Sequence, residues 1–326
     1  MRDLGCPRCG QRLAFENSRC LHCGAEVGFD PAALAFRERT AERDWCANRG
    51  LAQCNWLAEP GRPQCLSCAL TRTRPADDDT AALAAFAAAE TAKRRLVAEL
   101  VELGLPIVGR DAEPERGLAF DLLSSRDAGV VTGHADGVIT LDLAEGDDVH
   151  RERVRVALDE PYRTLLGHFR HEIGHWYYTV LVAPDPGRRR RFAELFGDPD
   201  TDYRAALDRH YRDGPPPDWN GRHVSAYATM HPAEDWAETF AHYLHIRDTL
   251  DTAAAFGSAP AAGGLSGGAD FDTLIALWLP LTWALNMLNR SMGRPDLYPF
   301  VLAPPVLDKM RWVHTVVEAG AVGAGS

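Results

Sequence analysis

Phe169 to Tyr178 reads FRHEIGHWYY. Two histidines, His171 and His175, stand four residues apart, and Glu172 directly follows the first. On a helix this spacing stacks both imidazoles on one face, one turn apart, where their nitrogens can reach a single ion. Glu172 projects about 100° away, where it can hold and deprotonate a water on that ion. Leu165, Leu166, Phe169, Ile173 and Trp176 give the same helix apolar surface, so it is expected to be buried. Two histidines and a carboxylate on a buried helix need something to satisfy them. A catalytic zinc commonly keeps three protein ligands and one water, so the pair requires a third group elsewhere in the chain.

The stretch AYATMHPAEDWAETFAHY offers it. Glu234 lies 59 residues after His175, and Glu238 follows one turn later on the same helical face. Pro232 suits the first turn of that helix. Glu234 is the expected third ligand. Glu238 is the expected hydrogen-bond acceptor for a ligand imidazole, fixing its tautomer, with Asp235 as the rival for that place. Tyr227, seven residues before Glu234, is a candidate donor to the oxyanion that develops when water attacks a carbonyl. A packed core tyrosine is the plainer reading, and His231, His223 and Tyr178 compete for the same role. His242 and His245 are expected to be structural or at the surface.

The eight cysteines all lie between Cys6 and Cys68. In CPRCG and CLHCG, Cys6, Cys9, Cys20 and Cys23 form two knuckles, each followed by a glycine that permits the turn. Two facing knuckles make the four-thiolate tetrahedron of a structural zinc. A second quartet, Cys46, Cys54, Cys65 and Cys68, is less regular, since only Cys65 and Cys68 make a knuckle. Two structural zinc ions and one catalytic zinc are therefore expected. Residues 1–75 hold 11 Lys+Arg and 8 Asp+Glu, formally +3. Each four-thiolate zinc contributes −2, which brings the module to about −1. Nucleic-acid modules carry a basic stripe instead, so docking or scaffolding to a protein partner is the expected role of the front.

The elements that must carry these residues follow from punctuation and periodicity. Residues 29–45 read as a short helix joining the two cysteine quartets. TRTRPADDD (71–79) reads as a polar linker and a boundary. An Ala-rich helix runs from Thr80 to about Leu103, ended by Gly104 and Pro106. GLAFDLL and VVTGHADGVITLDL read as strands, the latter alternating with period two. If the GVITLDL strand forms a sheet edge over the zinc, a substrate strand can add to it; the alternative is an interior strand. DDVHRERVRVAL and EPYRTLLGHFRHEIGHWYYTVLV read as helices. GRRRRF and DGPPPDW fall in a loop-rich region, with Arg188 to Arg191 a solvated face. Residues 257–270 are a Gly-rich loop or a lid, and two helices end the chain.

The chain has 326 residues, a net charge of −11, and 46% apolar residues. This composition is that of a soluble globular protein with more than one domain. No stretch reaches the roughly 20 uninterrupted apolar residues of a membrane span. MRDLGCPRCG has no apolar signal region. A cytoplasmic location without membrane attachment is expected, and the acidic balance argues against nucleic acid as a partner.

HEIGH together with PAEDWAE resembles the zincin metallopeptidases of the gluzincin type. Across CANRGLAQCNWL, EPYRTLLGHFRHEIGHWYY and HPAEDWAETFAHYLH the chain resembles a bacterial family of zinc-binding metallopeptidases with an N-terminal zinc-ribbon region. The resemblance implies His171, His175 and Glu234 as zinc ligands and Glu172 as general base. The Tyr–x6–Glu spacing is similar to that of toxin-type zincins, which supports Tyr227. The expected fold is α+β: zinc ribbons over 1–75, then a mainly helical zincin-like domain with a small sheet over 76–326. The expected activity is hydrolysis of peptide bonds, with a peptide or protein as substrate. A metal-dependent amidase acting on a non-peptide amide uses the same chemistry. The alternative from another class is a non-proteolytic zinc-binding scaffold, against which an intact Glu172 speaks.

Overall fold

The computed structural model describes residues 2–124, 129–130, 132–146, 164–260 and 269–323. The fold is α+β and divides into two compact units, Met1–Val154 and Arg155–Ser326.

The first unit begins with the hairpin β1 (Leu4–Gly5) and β2 (Arg12–Leu13). Gly10 and Gly24 close the two cysteine knuckles in the left-handed region, φ 73° each, and their amides donate to the carbonyls of Cys6 and Cys20 at 2.9 Å. Glycine is the residue that takes this conformation without a Cβ penalty. Residues 29–45 are not the expected helix. They contain the end of β3 (Val27–Asp30) and all of β4 (Ala35–Glu38), an antiparallel pair with Phe29 opposite Phe36. The cause is local. The Asp30 carboxylate accepts the amide of Ala32 at 3.1 Å and the guanidinium of Arg37 at 2.7 Å, which fixes a turn where a helix would otherwise start.

After the short helix α1 (Leu66–Ala69), the expected linker 71–79 opens with a strand, β5 (Thr71–Thr73), so it is a linker only in part. The sheet runs in the order β5, β6 (Ala119–Leu123), β8 (Val138–Asp142), β7 (Gly133–Ala135). β5, β6 and β8 are parallel, and β7 joins β8 as an antiparallel hairpin. The GVITLDL strand therefore has a partner on both sides, which removes the free edge considered above for an incoming substrate. Arg72 reaches across to Asp121 with both guanidinium nitrogens and ties β5 to β6. Helix α2 (Thr80–Glu102) is capped by Asp79, whose Oδ1 accepts the Ala82 amide at 3.0 Å, and it buries Phe86, Leu96, Val97 and Leu100. It belongs to the first unit with the cysteine quartets, whereas the sequence reading set a domain boundary at 75/76.

The second unit is helical among its described residues. The helix expected over DDVHRERVRVAL lies outside the described residues. Helix α3 (Leu165–Tyr177) is capped by Thr164, whose hydroxyl accepts the Gly167 amide at 2.9 Å, and it continues into a π turn, Tyr178–Val182. The region read as loop-rich contains two helices, α4 (Pro186–Phe196) and α5 (Tyr203–Asp213). Both start on an aspartate cap, Asp185 and Asp202, and Pro186 sits in the first turn of α4, where its missing N–H costs nothing. Arg189, Arg190 and Arg191 of α4 are exposed, and Arg188 donates to the Leu181 carbonyl at 2.6 Å. Helix α6 (Pro232–Ala255) is capped by the imidazole of His231, which accepts the Ala233 amide at 3.0 Å. Helices α7 (Phe271–Ser291) and α8 (Pro304–Gly323) complete the unit. α7 is long and apolar enough to cross a membrane by length and composition, although Asn286 and Asn289 interrupt its apolar run. Its inner face, Phe271, Leu274, Ile275 and Trp278, joins Leu250 of α6 and Met310 of α8 in one core. Of the 257–270 loop, residues 261–268 lie outside the described residues.

α3 and α6 cross at Gly174. A Cβ built there would stand 3.1 Å from Ala237 Cα and 3.3 Å from Phe240 Cβ. The fully buried Trp236 donates its indole N–H to the Gly174 carbonyl at 2.8 Å and locks the crossing. Replacing Gly174 with Ala is expected to force the two helices apart and to cost about 1–3 kcal/mol, read as a lower midpoint of denaturant unfolding with an unchanged slope.

Candidate metal centre

The crossing brings three side chains together. His171 and His175 lie one turn apart on α3, and Glu234 lies in the first turn of α6. The two Nε2 atoms are 3.2 Å apart. Glu234 Oε2 is 3.0 Å from His171 Nε2, and Glu234 Oε1 is 3.5 Å from His175 Nε2. Zinc bonded to nitrogen at about 2.0–2.1 Å in a tetrahedron separates its ligand atoms by about 3.3 Å. The three observed separations fall around that value. Such atoms approach this closely only with a proton or a metal cation between them.

The surroundings tune the donors. Glu238 Oε1 is 2.7 Å from His171 Nδ1, which places the ring proton on Nδ1 and leaves Nε2 facing the cluster. Burial opposes a charge on His171, but Glu234 and Glu238 outweigh it and hold its pKa well above the usual imidazole value. Burial likewise opposes a charge on Glu234, yet hydrogen bonds to the two imidazoles pull its pKa far below the usual carboxylate range. The site thus favours positive charge beside Glu234, the condition a metal ion meets. Glu172 is 8% exposed, and its Oε2 is buried without a hydrogen-bond partner among the described residues. An uncompensated buried carboxylate oxygen is costly, and it is the atom that a base waiting for water would present.

The cysteines assemble into the two expected quartets. Cys6 and Cys23 sulfurs are 3.7 Å apart, as are those of Cys9 and Cys20. Cys54 and Cys65 are also 3.7 Å apart in a second group with Cys46 and Cys68, all four buried. The sulfur–sulfur edge of a zinc tetrahedron with bonds of about 2.3 Å is about 3.8 Å. The donor sets of all three clusters therefore fit zinc. The second quartet is built into α2. Glu90 and Lys93, both fully buried, pair at 2.7 Å, with Glu90 Oε2 3.8 Å from Cys68 Sγ. Arg94 donates to the carbonyls of Ala52 and Gln53, in the loop that carries Cys54.

The remaining candidates separate. Tyr227 stands on the turn before α6 with its ring centre 6.1 Å from that of His171. Asp235 does not share the place of Glu238. Its Oδ2 accepts from Lys309 of α8 at 2.5 Å, and His223 lies 3.7 Å away. Burial, partly offset by Lys309, raises the Asp235 carboxyl to about 7. His231 is spent on its cap and on the Thr201 carbonyl at 3.0 Å. Tyr178 packs against Phe192. His242 is buried, 2.8 Å from the Tyr298 hydroxyl, and desolvation lowers its pKa to about 4. One residue at the site has no sequence signal: the Tyr203 hydroxyl of α5 donates to Glu234 Oε1 at 3.0 Å. It lies 28 residues beyond His175 in a stretch with no motif spacing, so the fold alone brings it there.

Elemental analysis of the purified chain is expected to give about three zinc ions, falling to about two in Glu234→Gln. Glu238→Gln is expected to keep the site but weaken its zinc affinity about 10–100-fold, measured by chelator competition.

Residues 82–316 match a protein family described as "Putative zinc-binding metallo-peptidase", and residues 3–79 match a zinc-ribbon domain family. An uncharacterized protein of Mycobacterium tuberculosis (strain ATCC 25618 / H37Rv) is 62% identical over 98% of this chain and 96% of its own length. An uncharacterized protein of Mycobacterium bovis (strain ATCC BAA-935 / AF2122/97) matches with the same identity and coverage. No solved structure gives a significant match. With most of its length covered by that match and a zinc ribbon ahead of it, the chain belongs to this zinc-binding metallopeptidase family.

Proposed function

We propose that the chain is a zinc-dependent endopeptidase of the gluzincin type, with His171, His175 and Glu234 as the ligands of its catalytic zinc. The observation that carries this reading is the buried, unpartnered Oε2 of Glu172, adjacent in sequence to a ligand. Zinc, when bound, polarises a carbonyl and lowers the pKa of water. Glu172 takes the proton of the attacking water and passes it to the leaving amine. Glu238 holds His171 in the tautomer that offers Nε2. Tyr227 keeps its phenol protonated, because burial raises its pKa, and it donates to the carbonyl oxygen as negative charge develops there. The two cysteine quartets hold structural zinc and present the front of the chain to a protein partner. Eight free cysteines grouped for metal, with no disulfide, support a reducing cytoplasm as the location. A scaffold that only holds zinc has no use for a bare carboxylate beside the ligands.

The test is cleavage of a mixed peptide library, read by mass spectrometry, with zinc content measured on the same samples. Glu172→Gln is expected to cut at a rate lower by about 10²–10⁴-fold while keeping its full zinc complement. A variant that cuts as fast as the wild type would refute the assignment of Glu172.

A further inference from the structure

Tyr203 occupies an unusual position on a lightly anchored helix. α5 places only Ala206 in the core, and it ends at Gly214 (φ 70°), a conformation that glycine tolerates. The Tyr203 ring is 44% exposed, yet its hydroxyl reaches Glu234, which is 3% exposed. The Tyr203 ring packs 5.1 Å from His231, whose Nε2 meets the carbonyl of Thr201 just before α5. One exposed side chain thus touches both a buried metal-ligand candidate and the histidine that caps its helix.

The two oxygens of Glu234 are then inequivalent. Oε2 lies nearer His171 Nε2, at 3.0 Å, and Oε1 is shared between His175 at 3.5 Å and the Tyr203 hydroxyl at 3.0 Å. A phenol donating to a carboxylate is a charge-assisted hydrogen bond. It restrains the carboxylate from rotating about its last torsion and directs Oε2 toward the cluster. Without it, Glu234 regains that rotation.

We propose that Tyr203 is a positioning residue, whose hydroxyl orients Glu234 so that the seating of α5 sets how tightly the His171–His175–Glu234 site holds zinc. This rests on the zinc-site reading above. It makes α5 a cover whose displacement by an entering peptide is felt at the metal ligand, through a bond that no other residue of the helix makes.

The experiment uses the full chain with zinc retained in both cysteine quartets and removed selectively from the third site. Zn²⁺ affinity is measured by competition with a chromophoric chelator, and Co²⁺ added to the third site gives a visible d–d spectrum. Tyr203→Phe keeps the ring and removes only the hydroxyl. It is expected to weaken Zn²⁺ binding about 10–100-fold and to move the Co²⁺ band. Tyr211→Phe, a 70% exposed tyrosine on the same helix, is expected to leave both within twofold of wild type. Wild-type affinity and an unmoved band in Tyr203→Phe would overturn the inference and leave the zinc site standing. A loss of affinity with an unmoved band would reduce Tyr203 to a structural role and also overturn it. A wild-type chain that takes up no third ion would overturn both readings.

Discussion

Helix α3 meets helix α6 at Gly174, where a hydrogen atom stands in place of a side chain. Ala237 and Phe240 close over that point, and the Trp236 indole hydrogen-bonds to the Gly174 carbonyl. Because Gly174 lies between Glu172 and His175, the point of closest approach sits inside the motif itself. Glu234 is two residues before Trp236 on the opposing helix, so the same contact sets its distance from both imidazoles. Packed interiors yield little, and a displacement of a few tenths of an ångström at Gly174 is transmitted to the ligand triangle. The geometry of the centre is a consequence of backbone proximity, and the chemistry is laid over it.

Charge is handled in the same way in both units: buried ionisable groups are given partners, and the exceptions are informative. Glu90 with Lys93, Asp235 with Lys309, and Glu238 with His171 are each paired inside the protein. Burying such pairs gains little net stability, since desolvation offsets attraction, but leaving one partner alone is expensive. Lys93 and Arg94 also bring positive charge close to a quartet of thiolates that would remain negative even with zinc bound. Against this background the unpaired oxygen of Glu172 stands out. Asp235 Oδ1 is likewise without a hydrogen-bond partner among the described residues, but its other oxygen holds Lys309, whereas Glu172 directly follows His171 of the candidate cluster.

The grouping of His171, His175 and Glu234 has a root in the sequence because helical spacing is rigid. His171 and His175 must share a face, and Glu234 and Glu238 must share another, whatever the tertiary fold. The first cysteine quartet was legible for a similar reason, since a knuckle followed by glycine is a local structure, whereas the second showed only the Cys65–Cys68 knuckle and the clustering of its other two cysteines. What failed was decided by competition at short range or by distant contacts. Asp30 captures the Ala32 amide and turns 29–45 into a hairpin, against the helical propensity of the alanines. The region read as loop-rich holds two helices because Asp185 with Pro186, and Asp202, are helix starts. β8 became an interior strand because β6 and β7, both earlier in sequence, pair with it on opposite sides. The roles of Asp235 and Tyr203 depend on α8 and α5, elements whose placement no spacing rule encodes.

His175 and Glu234 are 59 residues apart, and the segment between them carries α4 and α5. An ion that joins the two residues is a cross-link, and it closes that segment into a loop. The conformational entropy lost in closing a loop grows only with the logarithm of its length, about 0.6 kcal/mol for each doubling. The stretch between the ligands can therefore gain or lose whole turns of helix at little thermodynamic cost, provided that its ends still arrive at α3 and α6. That freedom makes this stretch the natural place for relatives to vary what covers the metal while keeping the ligands unchanged.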